Sequence, residues 1–221
     1  GGVGRAIAES LAAQGCDVVV TYRSNEARAN EAVATLESRG RRAWAASLDV
    51  ANESQTHELF ARVASEYGPI HTVVYAVGAA IDQPYISQVT SKQWAEVMQS
   101  DVNGFFHVVA ASLSQLRENQ GSLTAITSAG LYRYPPGDIL SVAPKGSIEA
   151  LVRGLAREEG RFGVRANCVA LGVIDAGMFL RLKETVFDAA WLDAAKKNTP
   201  LITKIPPIVI KIAIIESCAP K

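Results

Sequence analysis

The feature that most constrains this chain is a repeated alternation of a short, nearly unbroken apolar run with a longer segment whose apolar residues fall at helical spacing. The runs are Asp17–Tyr22 (DVVVTY), Ala43–Asp49, His71–Val77 (HTVVYAV), Ser122–Thr127 and Val164–Ala170. Among the segments between them, Glu26–Arg39 turns Ala29, Val33 and Leu36 to one side, and Ser54–Tyr67 does the same with Leu59, Phe60 and Val63. A helix opens almost at the first residue and stops at Gly15; others are predicted over Ser91–Glu118 and Val142–Glu159. Strands that are apolar throughout need cover on both faces, and parallel neighbours need a helical crossover. The pattern predicts a doubly wound parallel α/β domain of three layers, α/β/α, over residues 1–200, with helical cover from Met178 to Lys197. Residues 201–221 form an atypical tail with no clean helical period.

Chemistry is expected between Ile126 and Lys145, where a buried strand passes through a polar loop into a helix. Ser128 falls at the strand's carboxyl end, the edge at which open α/β sheets take their ligands. Lys145 lies early in the helix, with Ser141 four residues before it and on the same face. Ser141 has two readings. It is a catalytic hydroxyl, or, with Pro144 three residues on, an N-cap.

Twenty-two basic and twenty-two acidic residues cancel, and neither sign forms a run. The chain therefore lacks the electrostatic footprint of a nucleic-acid or anionic-membrane binder, and a small-molecule substrate is expected. The most apolar stretch, residues 202–215, is broken by Lys204, Pro206, Pro207 and Lys211 and falls short of the ~18 to 20 residues of a membrane span. Cys16, Cys168 and Cys218 are far apart, which suits reduced thiols in a cytoplasmic protein; Cys16 and Cys168 read as core or near-core residues. His57, His71 and His107 have no metal-ligand spacing, so no metal is expected.

Gly2-x-Gly4 at a helix start, Asp49-Val50 after the second run, Ser128 at a strand end and Lys145 before an Ala- and Leu-rich helix occur in an order that resembles the short-chain dehydrogenase/reductase family. The resemblance covers Gly1 to about residue 200. It implies a Rossmann-type domain whose first strand, the one leading into TGxxxGxG, is missing from this chain, and a tail that lacks the family's VDGG-like turn. Gly2, Val3 and Gly4 would carry a pyrophosphate on backbone N–H groups. Where NAD-selective relatives place an acid, this chain has Tyr22, Arg23 and Ser24. Arg23 then pairs with a 2′-phosphate, favouring NADP over NAD, or is a solvated turn residue. Asp49 would contact adenine, or serve the turn, and Val50 would pack on the ring. The family's NNAG appears as Tyr75-Ala76-Val77-Gly78, leaving backbone contacts from Ala76, Val77 and Gly78. Its PGxxxT appears as Leu171-Gly172-Val173-Ile174-Asp175-Ala176, leaving backbone near Gly172 and Ile174 for a carboxamide.

In the family a serine polarises the carbonyl, a tyrosine exchanges the proton, a lysine holds the nicotinamide ribose and an asparagine braces the lysine. Ser128 and Lys145 match; Ser141 stands at the tyrosine position and Asp101 at the asparagine position, where Asp101 would hold Lys145 as an ion pair or is a solvated acid at a helix start. Tyr132 and Tyr134 are candidates for a displaced phenol, or pack the loop. Met178, Phe179, Leu180, Phe187 and Trp191 form a lid over an apolar substrate, or plain packing. The resemblance implies an NADP-dependent carbonyl or alcohol oxidoreductase, and a homodimer or homotetramer through the helices from Ser91 and Val142. The substitutions at 101 and 141 leave open a nucleotide-binding partner or sensor subunit without turnover.

Overall fold

The computed structural model describes residues 2–198 except 80, 175 and 186, with no account of the side chains at 178, 185, 195, 196 and 198. The expected tail and the Met178 side chain thus lie outside the described residues. Helix α1 (Gly2–Ala13) leads to β1 (Val18–Tyr22), α2 (Glu26–Glu37), β2 (Ala43–Ser47), α3 (Glu53–Glu66) and β3 (Thr72–Tyr75). Then come α4 (Ser91–Val97), α5 (Gly104–Glu118), β4 (Ser122–Ser128), α6 (Ile139–Glu159), β5 (Arg165–Leu171), α7 (Met178–Thr185) and α8 (Ala189–Asn198).

Every strand pairing is parallel. β1 pairs with β2 from Val18 opposite Ala43 to Tyr22 opposite Ser47, and β4 lies between β3 and β5, with Tyr75 opposite Ala125 and Ser128 opposite Leu171. Among the described residues no ladder joins β1 to β3, so the sheet is in two pieces. The main core lies between β3, β4 and β5 and helices α3, α5 and α6, with Tyr75, Phe105, Leu116, Leu123 and Ile148 almost fully enclosed. A smaller cluster of Ala8, Ala12, Leu36 and Ala43 joins α1 and α2 to the other sheet piece. Ile81, Val97 and Leu140 form a third cluster, tying the loop after β3 to α4 and to the start of α6.

The third cluster corrects one expectation. Because Ile139 and Leu140 pack into it, α6 begins at Ile139 and not after Ser141; the N–H groups of Ser141 and Val142 both donate to the Asp138 carbonyl. Ser141 is thus inside the first turn and is no N-cap, and the buried Pro144 lies within the helix. The segment expected as one helix over Ser91–Glu118 is divided by a π-helical stretch, Met98–Asn103, and the cover beyond β5 is two helices, α7 and α8. Cys16 is exposed, not near the core. It follows Gly15, whose φ of +96° closes α1 with the Cys16 N–H on the Leu11 carbonyl, a Schellman ending that turns the chain at the surface.

Candidate active site

The site is organised around a buried cation. Lys145 Nζ lies 3.2 Å from Asp101 Oδ2, donates to the Val77 carbonyl at 2.8 Å, and stands 5.9 Å from the centre of the Tyr75 ring. Asp101 reaches it from the π-helical stretch between α4 and α5, a deformation that re-aims side chains at functional positions. Tertiary contacts hold that stretch. The Tyr75 hydroxyl donates to the Asp101 carbonyl at 3.0 Å, and the Ala79 N–H donates to Asp101 Oδ1 at 2.9 Å. Burial and the Asp101 carboxylate push the Tyr75 phenol well above its ordinary pKa, so it acts as a neutral hydrogen-bond donor. An ammonium has three N–H donors; with two on Asp101 and Val77, one is left for a ligand hydroxyl. Asn103 bonds Gln99 and is exposed, away from this cluster.

Ser128 is the last residue of β4, half-buried, and its Oγ accepts from the Gly130 N–H at 3.1 Å. That bond occupies a lone pair and leaves the hydroxyl proton for a substrate oxygen. Gly130 permits the close turn: a Cβ there would meet Val142 Cγ2 at 2.8 Å and Ser128 Oγ at 3.1 Å. Ser128 is thereby held against the first turns of α6. Ser141, half-buried, lies one turn before Lys145 on that helix. Asp138, three residues before it, accepts from Gln83 Nε2 at 3.0 Å. Asp138 is 8% exposed, and burial pushes its pKa up to about 6 although the Gln83 hydrogen bond favours the carboxylate.

The expected dinucleotide residues lie at the start of α1 and at or just beyond the carboxyl ends of β1, β2, β3 and β5. A Cβ on Gly2 would lie 3.0 Å from Ala176 Cβ, and one on Gly4 would lie 3.7 Å from Ala76 Cβ. The start of α1 therefore meets the loops that follow β3 and β5, and Ala76, Gly78 and Gly172 are exposed around it. Space at Gly78 and Gly172, next to helix N–H groups that have no intrahelical partner, fits an extended phosphate-bearing ligand. Val3 is in the first turn and Ile174 is half-buried in the loop after β5. Arg23 and Ser24 are exposed beyond the end of β1, next to the half-buried Tyr22. Asp49 closes a turn, its Oδ1 accepting from the Ala51 N–H at 3.1 Å. Val50, expected to pack on a ring, is instead buried in the main core, where any Cβ on Gly104 would approach its Cγ2 to 2.7 Å. Side-chain burial leaves only its backbone edge to offer.

The loop tyrosines do not sit alike. Tyr132 is mostly exposed but sets its hydroxyl 2.9 Å from Glu149 Oε2, while Thr127 donates to Glu149 Oε1 at 2.9 Å. Tyr134 is half exposed. Phe187 stacks on Trp191 at 3.6 Å, with Phe179 6.0 Å from the former, so these rings pack on one another; Leu180 is exposed. Among the described residues no group of side chains is placed to hold a metal ion. Sequence reasoning missed Tyr75, Gln83 and Asp138. Their part in the site depends on loops meeting across the sheet edge, and Asp138 in Pro-Pro-Gly-Asp reads locally as a turn residue.

This architecture has known counterparts. A family model described as enoyl-(acyl carrier protein) reductase matches residues 1–213. A short-chain type dehydrogenase/reductase of Picea abies is 28% identical over 225 residues, spanning 96% of this chain and 82% of its own. A gluconate 5-dehydrogenase from Burkholderia cenocepacia, solved with NADP and tartrate, superposes with a TM-score of 0.82 at 25% identity, over 90% of this chain and 77% of its own. An NAD+-bound xylitol dehydrogenase gives 0.79 at 25% identity, over 86% and 74%. No helix among the described residues is long and apolar enough to cross a membrane. With the family model spanning residues 1–213 and these relatives matching most of the chain, the chain belongs to the short-chain dehydrogenase/reductase family of oxidoreductases.

Proposed function

We propose that the chain is an NADP-dependent oxidoreductase acting on a carbonyl or alcohol of a small, apolar molecule. The observation that carries this reading is the Lys145 ammonium, fixed by Asp101 and Val77 with one donor to spare, on the helix face that also bears Ser141. A bound nicotinamide supplies or takes the hydride. The chain's own part is to bind, orient and manage the proton. The start of α1 (Gly2, Val3, Gly4) and the backbone of Ala76, Val77, Gly78, Gly172 and Ile174 hold the dinucleotide, Asp49 and the backbone of Val50 flank its adenine, and Lys145 takes the nicotinamide ribose. Ser128 donates to the substrate oxygen, and Ser141 occupies the proton-exchange position.

NADP is favoured because Arg23 and Ser24 lie where an acid would otherwise take ribose hydroxyls, and a guanidinium pairs well with a 2′-phosphate. The gluconate 5-dehydrogenase that the chain resembles holds NADP. Resemblance also supports a homodimer or homotetramer built on α4, α5 and α6, and α5 does present Phe106 at its surface. Reduced, widely spaced thiols support a cytoplasmic setting.

Isothermal titration of the full chain with NADPH and NADH, followed by NADPH oxidation with aldehydes, ketones and diketones, tests the reading. Binding of NADPH with turnover is expected; a flat trace for both dinucleotides ends it. A second reading, a nucleotide-binding partner or sensor subunit, is favoured by one observation: an aliphatic hydroxyl at 141 is a far weaker acid than a phenol. Binding without turnover on any carbonyl, restored by Ser141→Tyr, would select it.

A further inference from the structure

We infer that Gln55 and His107 are positioning residues for the adenine end of the dinucleotide: reaching from α3 and α5, they fix the backbone of the turn at residues 49–51 that flanks the adenine. The inference rests on the reading that this turn meets the adenine, and it names the side chains that hold the turn in place. Neither residue touches the nucleotide; each works through the backbone of Asp49 or Val50.

The first ground is the grip itself. Gln55 Oε1 accepts from the Asp49 N–H at 2.7 Å, and His107 Nδ1 lies 2.8 Å from the Val50 carbonyl oxygen. A carbonyl can only accept, so the imidazole carries a proton on Nδ1. The two side chains come from helices that pack on each other. Gln55 is the third residue of α3, whose N-cap is Asn52, and a glutamine there ordinarily reaches back to the N-cap's own N–H. Here the Asn52 N–H is already on the Asp49 carbonyl at 2.9 Å, and the Gln55 side chain passes on to Asp49 instead. His107 lies 57 positions beyond Val50 and one turn after Gly104, on the same face of α5. At Gly104 the Val50 side chain seats so closely that a Cβ would come within 2.7 Å of Val50 Cγ2. Val50 is thus held by its side chain and by its carbonyl at once.

The second ground is what the grip leaves over. The Asp49 carboxylate accepts from the Ala51 N–H through Oδ1, and the Ala51 carbonyl lies 3.5 Å from Gln99 Nε2. With the Asp49 carbonyl on the Asn52 N–H, the backbone of residues 49–51 has one group with no protein partner among the described residues, the Val50 N–H. Adenine carries ring nitrogens that accept and an amino group that donates. A backbone N–H next to a carboxylate offers the complementary pair, provided the two stand at a fixed spacing. No ladder fixes it. β2 stands at the end of its sheet piece, its register with β1 stops at Ser47, and the last backbone bond to that strand is from the Leu48 N–H to the Tyr22 carbonyl. From Asp49 onward the side chains of Gln55 and His107 take over what the sheet no longer supplies.

The test is calorimetric, on the full chain, with two probes: NADPH, and adenosine 2′,5′-bisphosphate, which carries the adenine end alone. His107→Leu and Gln55→Met remove one grip each; His107→Asn keeps an N–H close to the Nδ1 position, and Gln55→Glu keeps the acceptor. Each of the first two should weaken both probes by the same factor, roughly 3- to 10-fold for one lost hydrogen bond, with circular dichroism unchanged. The two conservative variants should recover most of that loss. Should one of the disruptive variants not fold, the other decides alone. Wild-type affinity for both probes in the folded variants overturns the proposal. So does weaker NADPH binding with the bisphosphate unaffected, which puts the effect at the nicotinamide end. His107→Asn and Gln55→Glu binding no better than His107→Leu and Gln55→Met overturn it as well, because the loss then comes from packing and not from the bonds. In each of these cases the wild type still binds NADPH, and the oxidoreductase reading stands. A wild type that binds neither probe overturns that reading and this inference together.

Discussion

Asp101 and Lys145, 44 positions apart by numbering, meet as a buried ion pair at 3.2 Å with side chains 4% and 11% exposed. Such a pair adds little net stability over an apolar one, because desolvation offsets the attraction, but removing one partner strands the other charge. Asp101→Ala is predicted to cost about 3 to 5 kcal/mol in urea unfolding. Asp101→Asn, which keeps an acceptor for the Ala79 N–H, should cost less. Equal losses in the two variants would show that the charge at 101 does not matter.

Asp138 makes stability depend on pH in an unusual direction for an acid. Its folded pKa, about 6, lies above the ordinary 3.8, so between those values the folded state binds more protons than the unfolded one. Unfolding free energy therefore falls as pH rises from about 4 to 6 and is flat beyond, a total of at most about 3 kcal/mol for a shift of about two units. In Asp138→Asn that decline should vanish, leaving the variant more stable than the wild type at pH 8 by chemical denaturation. A variant less stable at pH 8, or an unchanged decline, refutes the prediction.

Arg23 should decide between the two dinucleotides. If its guanidinium meets a 2′-phosphate, Arg23→Ala loses a charge-assisted bond of about 1.5 to 3 kcal/mol. NADPH affinity then drops roughly 10- to 100-fold, and NADH affinity stays as it was. Calorimetry on the variant checks this; a parallel loss for both cofactors would place Arg23 elsewhere.

Tyr132 is predicted to brace the loop through Glu149 and to take no part in proton exchange. Tyr132→Phe removes one hydrogen bond from a mostly exposed ring, so a loss of about 1 kcal/mol is expected with kcat unchanged. A hundredfold fall in kcat in the folded variant would return the phenol to the reaction.

The cysteines should separate by reactivity. Burial and the neighbouring Glu149 carboxylate push the Cys168 thiol up to about 12, whereas Cys16 is exposed. Since the thiolate is the reactive form, an aromatic disulfide reagent at pH 8 should modify Cys16 readily and Cys168 only on unfolding. Mass mapping of early adducts reads the order, and prompt labelling of Cys168 would contradict it.

Periodicity alone determined the architecture, because the side-chain pattern of a buried parallel strand and of a one-faced helix is imposed by burial, which each segment advertises locally. It placed Ser128 at a strand end and Ser141 one turn before Lys145, and the family spacing brought Asp101 to the lysine. It did not reveal that α6 starts at Ile139, that Val50 is core, or that Cys16 is at the surface. Each of those depends on what a neighbouring element covers: the cluster of Ile81, Val97 and Leu140, the notch at Gly104, and the turn after Gly15. The same holds for Asp138. Its residue type and its Pro-Pro-Gly context announce a solvated turn, and only the approach of Gly137 to Gln83 encloses it. Local sequence encodes which face of an element is apolar; the degree to which water is excluded from a particular carboxyl is a property of the assembled fold.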